Sequence, residues 1–349
     1  MNAPRLRTRK LDIRNGRVDL SHGSGGRAMA QLISEIFAEN FANDLLAQGN
    51  DQAVFSIPPG RLAMTTDGYV VSPLFFPGGN IGSLAVHGTV NDLAMAGAKP
   101  LHLSASFILE EGFALADLAK IAESMGNAAR EAGVKIVTGD TKVVERGKAD
   151  GVFISTAGIG VVPDGLTLSG DRARPGDKIL VSGTLGDHGV AIMSSRENLQ
   201  FETQILSDSA SLNGLVADMV AACGPHLRLL RDPTRGGLAA TLNEIAHQSN
   251  IGVRIDEDSL PVKAEVAAAC ELLGLDPLHV ANEGKLIAFV APEAAEALLA
   301  AMRAHPLGRD AAIIGEAVED AHNFVQMRTA FGGGRIVDWL SGEQLPRIC

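Results

Sequence analysis

The 349-residue sequence is poor in aromatic residues and cysteine, with one tryptophan, one tyrosine and three cysteines. Aromatic side chains therefore cannot anchor the interior, and the 39 glycines indicate tight turns and close backbone approaches instead. The cysteines form no Cys-x-x-Cys pair, which argues against a disulfide framework and against a structural zinc site. This cysteine usage fits a reducing cytoplasm.

Basic residues are outnumbered, because 30 lysines and arginines stand against 41 acidic residues and leave a net charge of -11. This balance argues against a nucleic-acid partner and against an anionic membrane surface. No apolar run approaches the roughly 20 residues that cross a bilayer. Residues 1–17 contain a basic cluster that no apolar segment follows, so we predict a mostly disordered leader rather than a secretory signal.

The length exceeds what one hydrophobic core usually serves, so two domains are expected. Turn-forming residues at 163–165 and 174–177 mark the boundary between them. Both halves alternate strand and helix patterns, which predicts an α+β or α/β fold class. The predicted parts are an N-terminal domain over 18–164, a C-terminal domain over 165–340 and a tail over 341–349.

Hydrophobic periodicity and turn residues predict the individual elements. A helical stripe indicates a helix over 28–47, and two short runs at 53–57 and 61–66 around Pro58-Pro59-Gly60 indicate a β-hairpin. Further helices are predicted at 81–96, 114–132, 187–196, 209–222, 236–248, 262–273 and 292–304. Further strands are predicted at 101–109, 135–139, 152–162, 178–182, 251–256, 285–290 and 311–318.

Five short acidic motifs recur, each beside glycine, asparagine or threonine. Any one of them fits a turn or a helix cap. Because Mg²⁺ prefers a few carboxylate oxygens together with the phosphate oxygens of a substrate, the whole set indicates a magnesium–nucleotide site. The aspartates of these motifs are Asp51, Asp67, Asp92, Asp140 and Asp232.

Residues 21–26 read Ser-His-Gly-Ser-Gly-Gly just before the first predicted helix. Successive unobstructed N–H groups before a helix can bind an anion, although a flexible glycine linker explains the segment equally well. The spacing is not that of a P-loop, and no G-x-G-x-x-G follows a strand as a dinucleotide-binding motif requires. The segment is therefore a candidate lid over phosphate groups.

The three cysteines lie in different surroundings. Cys223 and Cys270 fall in apolar helical stretches and are expected to be buried as small hydrophobic residues. Cys349 is the last residue, so we expect it to lie outside any core, where an exposed thiol is open to oxidation. Its position does not match a prenylation signal. Cys349 is thus the candidate for a chemical role.

These motifs together resemble the HypE family of hydrogenase maturation factors, and the resemblance spans residues 18–349. The Asn-Asp motif at 91–92 and the motif at 232–237 are shared with the wider superfamily of aminoimidazole ribonucleotide synthetase, selenophosphate synthetase and thiamine-monophosphate kinase. The Pro-Arg-Ile-Cys end is specific to HypE. The matching segments are 21–26, 66–71, 76–79, 86–94, 139–142, 232–237, 282–284 and 346–349.

The resemblance implies a homodimer whose N-terminal domains form a shared β-barrel, with the C-terminal α/β domain packed outside it and a flexible C-terminal tail. ATP is expected in clefts beside the barrel, with Mg²⁺ held by the five aspartates named above. Asn50 and Asn80 depart from the family pattern, in which acids are common. The residues expected at the nucleotide are His22, Gly23, Gly25, Gly26, Asp51, Asp67, Asn91, Asp92, Asp140, Thr141 and Asp232.

The resemblance also implies a reaction. The carbamoyltransferase HypF would place a carbamoyl group on the Cys349 thiol, and ATP would then drive its dehydration to a thiocyanate. The cyanide would pass to iron on a complex of HypC and HypD. Converting the amide oxygen into phosphate provides the leaving group that this dehydration needs. Glu283 and Lys142 would lie together and remove the protons of the amide nitrogen, with Lys142 keeping Glu283 ionised or with these roles exchanged.

Two other functions stay open at this point. A superfamily sibling that phosphorylates a small molecule would not need Cys349, and selenophosphate synthetase would carry its reactive residue near the N-terminus, whereas the first cysteine here is Cys223. A non-enzymatic scaffold would leave the repeated aspartate motifs unexplained. We further expect the tail to alternate between an outward position, where the thiol is modified, and an inward position where Arg347 faces the phosphates.

Overall fold

The computed structural model describes residues 10–50, 52–197, 204–339 and 346–349. The predicted metal ligand Asp51, residues 1–9 of the leader and residues 341–345 of the tail lie outside these ranges. Within them, no helix is long and apolar enough to cross a membrane.

The first domain is built on a four-stranded sheet with the strand order β1-β6-β4-β5, open in the single chain and antiparallel except where β4 meets β5. Its strands, with one small additional hairpin, are β1 (Arg61–Tyr69), β2 (Phe75–Phe76), β3 (Gly79–Asn80), β4 (Lys99–Glu110), β5 (Lys135–Val144) and β6 (Val152–Val162). Its helices are α1 (Arg27–Leu32), which continues into a π-helical turn at Ile33–Ala38, α2 (Ile81–Met95) and α3 (Leu115–Ala132).

Helix α2 is the central helix of the first domain. Asn80 caps its N-terminus, because the Asn80 side chain accepts hydrogen bonds from the N–H groups of Gly82 and Ser83. Gly82 allows α2 and α3 to pack closely, because a Cβ there would lie 2.2 Å from the Ile121 carbonyl oxygen. The helix is buried almost all round, which explains its apolar composition.

The second domain is built on a seven-stranded sheet with the strand order β13-β12-β9-β11-β7-β10-β8, antiparallel except where β9 meets β12. The central strands β7 and β10 are buried and apolar because helices cover both faces. The strands are β7 (Lys178–Val181), β8 (Leu227–Arg231), β9 (Gly252–Asp256), β10 (Ile287–Val290), β11 (Ala312–Val318), β12 (Val325–Arg328) and β13 (Gly334–Ile336). The helices are α4 (Asp187–Arg196), α5 (Asn213–Cys223), α6 (Gly237–Ser249), α7 (Ala264–Leu273) and α8 (Ala295–Ala304).

The predicted hairpin before α2 is wrong. Residues 53–57 form no strand, and β1 pairs with β6 instead. Pro58 and Pro59 lack the N–H groups that a ladder needs, and Phe55 packs edge-on against His102 with ring centroids 4.3 Å apart. The helix predicted over 28–47 is also too long, because the continuous helical structure stops at residue 40 and only a short 3-10 turn follows at Leu46–Gln48.

The predicted disorder of the leader does not extend over residues 10–17. The Leu11 N–H donates to the carboxylate of Glu35 at 2.9 Å, and Arg17 pairs with Ala114 in an isolated β-bridge. Val18, the next residue, is fully buried in the first core. This part of the leader is therefore held by backbone pairing and by an apolar anchor.

Candidate active site

The last four residues lie against the segment that follows β1. The Val70 N–H donates to the Cys349 carbonyl at 3.0 Å, and the Ser72 N–H donates to the Arg347 carbonyl at 3.2 Å. The Ile348 side chain is 2% exposed and packs into the first core, where Cys349 joins it at the edge. The expectation that Cys349 lies outside any core is therefore wrong for this inward position of the tail.

The Cys349 thiol faces residues from both domains. Burial raises its pKa to about 12, and the negative charges of Glu283 and Asp67 act in the same direction. The positive charge of Arg235 opposes them. Charges shift a pKa in this way only when they are near the group, so Glu283, Asp67 and Arg235 lie near the sulfur atom. The thiol is held there in its protonated form.

Glu283 precedes β10 and is 4% exposed. Its N–H donates to the Asp208 carboxylate at 3.1 Å, and its carbonyl accepts from the Asn91 side chain at 3.2 Å. Its Oε1 atom is buried without a hydrogen-bond partner. Burial, followed by the charges of Asp232 and Asp208, raises the pKa of Glu283 well above its usual range. These surroundings favour the protonated form of the carboxyl group.

Three further acids surround this carboxyl group, since the charges of Asp232, Asp67 and Asp92 all contribute to its raised pKa. Burial, and then the charge of Asp92, raise the pKa of Asp232 to about 7. Burial also raises the pKa of Asp92, although the Thr65 hydroxyl donates to it at 2.7 Å. Asp92 and Asp232 line one cavity of about 600 Å³. The positive charge of Arg231, which lines the same cavity, acts against the raised pKa of both acids.

Asp140 and Thr141 belong to a different cavity, of about 730 Å³, between β5 and the helical segment at 27–40. Its walls are mostly apolar, and Asp140, Thr141 and Asn50 supply polar groups. This cavity is large enough for a small-molecule ligand.

The glycine-rich segment lies beside the same strand. A Cβ on Gly23 would come within 2.8 Å of the Val143 N atom, so only glycine fits against β5 at this point. His22 is buried, and its Nδ1 accepts from the Asp19 N–H at 3.1 Å. Gly25 adopts a φ of +80°, which favours glycine, and Gly26 precedes the first residue of α1.

The structure thus separates the predicted acidic set into two groups. The strands β1 and β5 are the two edges of the first sheet, about 14 Å apart at three strand spacings. The register aligns Asp140 with Ser106, Ser155 and Gly68 across the sheet, so the side chain of Asp140 points to the face opposite that of Asp67. One chain cannot bring both aspartates to the same metal ion.

Lys142 is not beside Glu283 in the single chain, contrary to the prediction. Its ammonium group donates to both carboxylate oxygens of Asp140, at 2.7 and 2.6 Å, and both side chains are exposed on the open face of the sheet. This contact lowers the pKa of Asp140. Glu283 lies on the other side of the sheet, where negative charges surround it.

Asn91 connects parts of the chain that are far apart in sequence. Its Nδ2 donates to the carbonyls of Ala210 and Glu283, at 3.0 and 3.2 Å, and its Oδ1 accepts from the Leu212 N–H at 2.7 Å. The amide group is thus hydrogen-bonded within the protein, and the expected contact of Asn91 with a nucleotide stays a prediction.

The fit of Mg²⁺ rests on charge rather than on a preformed cage. Among the residues that the structure describes, no group of three or more acidic, histidine or cysteine side chains is arranged to hold a metal ion. The charges of Asp92 and Asp67 nevertheless raise the pKa of Asp232, and all three acids raise that of Glu283, so a cation is favoured at this place. Mg²⁺ commonly takes only one or two carboxylates, with phosphate oxygens and water completing its shell.

Sequence reasoning missed several residues that shape this site. Asp208 forms a nearly buried ion pair with Lys285 at 3.1 Å and receives the Glu283 N–H. His188 is fully buried, and its Nε2 lies 2.9 Å from the Ile348 carbonyl. Asp208 follows a segment with no clear pattern, so only its place in the fold reveals it. Arg235, in contrast, stands inside the motif at 232–237.

Comparisons with known proteins agree with this architecture. Residues 49–162 match the family described as AIR synthase related protein, N-terminal domain, and residues 174–328 match its C-terminal domain. The carbamoyl dehydratase HypE of Bradyrhizobium diazoefficiens is 79% identical over 341 residues, covering 98% of this chain and 99% of the relative.

The chain belongs to the HypE family.

Solved HypE structures share the two-domain fold of mixed α/β content. A crystal structure of hydrogenase maturation protein HypE in complex with ATP superimposes with a TM-score of 0.91 at 53% identity, covering 95% of this chain and 99% of the other. A chain of a HypE–HypF complex superimposes with a TM-score of 0.78 at 52% identity, covering 88% and 99%. The resemblance to HypE is therefore confirmed.

The raised pKa of Asp232 predicts how the stability of this HypE chain depends on pH without metal and nucleotide. A raised pKa means that the folded chain binds this proton more tightly than the unfolded chain. The resulting stabilisation is complete below the unfolded pKa of 3.8 and is lost as the pH rises through about 7. Asp232→Asn should therefore raise the melting temperature at pH 8.5 by roughly 2–4 °C or more, and by about half as much at pH 5.5, which lies between the two pKa values.

Thermal unfolding in a chelating buffer measures this effect. The matched control is Asp258→Asn, which makes the same change at an exposed position. An Asp232→Asn difference that is equal at both pH values would contradict the predicted burial of this acid.

Proposed function

We propose that this chain dehydrates the carbamoyl group carried by its own Cys349 to a thiocyanate, with ATP as the co-substrate. HypE relatives named carbamoyl dehydratase and the ATP complex of a HypE homologue support this reaction. The observation that carries it is the position of Cys349, whose sulfur lies beside the buried Glu283 at the boundary between the domains. A scaffold would not need a deeply buried acid beside its terminal thiol.

The atoms balance in two steps. The carboxamide oxygen attacks the terminal phosphorus of ATP, ADP leaves, and the oxygen becomes part of a phosphate ester. The C–O bond then breaks, inorganic phosphate departs with that oxygen, and both N–H protons are removed to form the C≡N bond. Exclusion of water by the buried surroundings protects the phosphorylated intermediate from hydrolysis.

Glu283 is proposed as the group that accepts a proton from the amide nitrogen. Burial and the neighbouring acids raise its pKa and so favour its protonated form, and added positive charge would favour the carboxylate that can act as the base. Mg²⁺ bound with ATP would supply such charge, held by Asp67, Asp92 and Asp232. Arg235 already provides positive charge near the sulfur atom.

A homodimer would complete the site. The open face of the first sheet carries Leu62, Met64 and Ile108, exposed to 57%, 75% and 41%, which a second copy could cover. A shared β-barrel formed by two such sheets could bring the Asp140 and Lys142 of one copy toward the Glu283 of the other. This arrangement accounts for the predicted pair of Lys142 and Glu283, which one chain does not form.

The reaction also implies partners and a location. A carbamoyltransferase of the HypF type would load the thiol, in keeping with the HypE–HypF complex of a homologue. A complex of HypC and HypD would receive the cyanide for a nickel–iron hydrogenase, in the cytoplasm. Because Cys349 is only partly exposed here, we expect the tail to leave this position for loading by another protein and to return before dehydration.

The first prediction concerns the modified residue. Cys349→Ala should abolish carbamoyl transfer from HypF, because no thiol remains at this position. Cys223→Ala and Cys270→Ala should retain it, since both thiols are buried in the second domain. Intact mass measured after incubation with HypF, with and without ATP, distinguishes unmodified, carbamoyl and cyano forms. A carbamoyl group on the Cys349→Ala protein would refute the proposed reaction.

The second prediction concerns the base. Glu283→Gln should still bind ATP and accept the carbamoyl group, yet convert it to thiocyanate on the order of a hundredfold more slowly. Mass spectrometry of the C-terminal peptide would show carbamoyl-Cys349 persisting in the presence of ATP. Glu271→Gln, an exposed change on α7, serves as the control. Rapid cyano-group formation by Glu283→Gln would remove this residue from the reaction.

The third prediction tests the shared site with two inactive variants. Asp140→Asn and Glu283→Gln should each be slow alone, but their mixture should recover about a quarter of the wild-type rate, because random exchange gives half hybrid dimers with one intact site each. Cys349→Ala mixed with Glu283→Gln is the control and should recover nothing, since both residues come from the same copy. No recovery in the first mixture would place the whole site within one chain.

A further inference from the structure

The tail is held by an arginine that sequence reasoning did not single out. Arg196 is the last residue of α4, and its side chain reaches the backbone of the tail. Its Nη1 donates to the Pro346 carbonyl at 2.9 Å, and its Nη2 donates to the Arg347 carbonyl at 3.1 Å. Its Nε and Nη2 also donate to the Ser72 carbonyl, at 3.1 and 2.6 Å.

These bonds join three parts of the molecule through one planar group. The guanidinium group connects α4 of the second domain, the segment after β1 of the first domain and the tail. A lysine could not bridge three carbonyl groups in this way, because its ammonium group lacks the fixed fork of donors. Hydrogen bonds from a charged donor are also stronger than those between neutral groups.

Other contacts place the tail but do not bridge the domains in the same manner. The Arg347 side chain bonds to the Val70 carbonyl and to Asp150, both in the first domain, instead of facing phosphates. His188 contacts the Ile348 carbonyl and is itself fixed by the Ser207 hydroxyl at 2.8 Å. The predicted role of Arg347 near the phosphates is therefore not realised in this position.

We propose that Arg196 is the positioning residue that anchors the inward tail and so holds the Cys349 sulfur beside Glu283. This inference rests on the proposed function, because it assigns Arg196 to the dehydration step. Within the tail, Arg196 binds only the main-chain carbonyls of residues 346 and 347. It therefore holds the tail in the same way whether the sulfur is free or carbamoylated. It does not contact the reacting atoms.

The loss of this anchor should shift the tail away from the domain boundary. Cys349 would then spend more time in solvent, where its thiol escapes the burial and the negative charge that suppress the thiolate. Alkylation by iodoacetamide, which requires the exposed thiolate, therefore measures tail release directly and does not depend on any catalysed reaction. Cys223 and Cys270 are buried and can be followed separately by peptide mass spectrometry.

The experiment compares the rate of Cys349 alkylation in the full-length protein without ATP. Arg196→Ala should react about 10- to 100-fold faster than the wild type, as expected for the loss of several charge-assisted hydrogen bonds. Arg196→Lys should lie between the two. Arg303→Ala is the matched control, because Arg303 also donates to a backbone carbonyl, that of Ala311, but far from the tail. It should react like the wild type.

A second measurement separates positioning from general stability. Arg196→Ala should accept the carbamoyl group from HypF at least as fast as the wild type, but convert it with ATP more slowly. Wild-type alkylation rates in both Arg196 variants, with unchanged thermal unfolding, would overturn the inference. If Arg196→Ala does not fold, Arg196→Lys decides: faster alkylation supports the inference and an unchanged rate refutes it. A failure of the proposed reaction would instead appear as a wild-type protein that never forms the cyano group.

Discussion

The site depends on the main-chain pairing between the tail and the segment after β1. Val70 and Ser72 bind the carbonyls of Cys349 and Arg347, and Ile348 fills a place in the first core. Without this pairing, the sulfur has no fixed relation to any acid. Because hydrogen bonds to main-chain groups and one apolar anchor provide it, the sulfur itself stays free for chemistry.

The second constraint is electrostatic. Asp67, Asp92, Asp208 and Asp232 all act on the buried Glu283, and the pKa values of Glu283 and Asp232 are raised above their usual range. Such a cluster favours a cation, and Mg²⁺ is a cation that binds carboxylate and phosphate oxygens together. The same acids that destabilise the empty site at high pH would thus contribute to binding. One arrangement of acids thus underlies both the raised pKa values and the proposed binding of Mg²⁺ with ATP.

Much of the fold could be predicted from the sequence where periodicity was strong. The strand at 152–162 and the helix at 187–196 were predicted with the bounds observed. The hairpin failed because prolines permitted a turn but no ladder, and β8, β12 and β13 were missed because their short runs contain charged or polar residues. The acidic motifs were found, but their division needed strand register. Arg196 and His188 contact main-chain carbonyls of the tail. Contacts with main-chain groups do not require particular partner residues, so no sequence motif reveals them.

The amide group of Asn91 has a mechanical consequence. Its three hydrogen bonds join α2 to the segment at 210–212 and to the backbone of Glu283, deep between the domains. Nearby, Gly284 approaches the Asp208 carbonyl so closely that a Cβ there would lie 1.8 Å from it. The two domains are thus locked together around Glu283, and a hinge motion would break buried bonds. Access to this site must then come from movement of the C-terminal tail rather than from a hinge motion between the two domains.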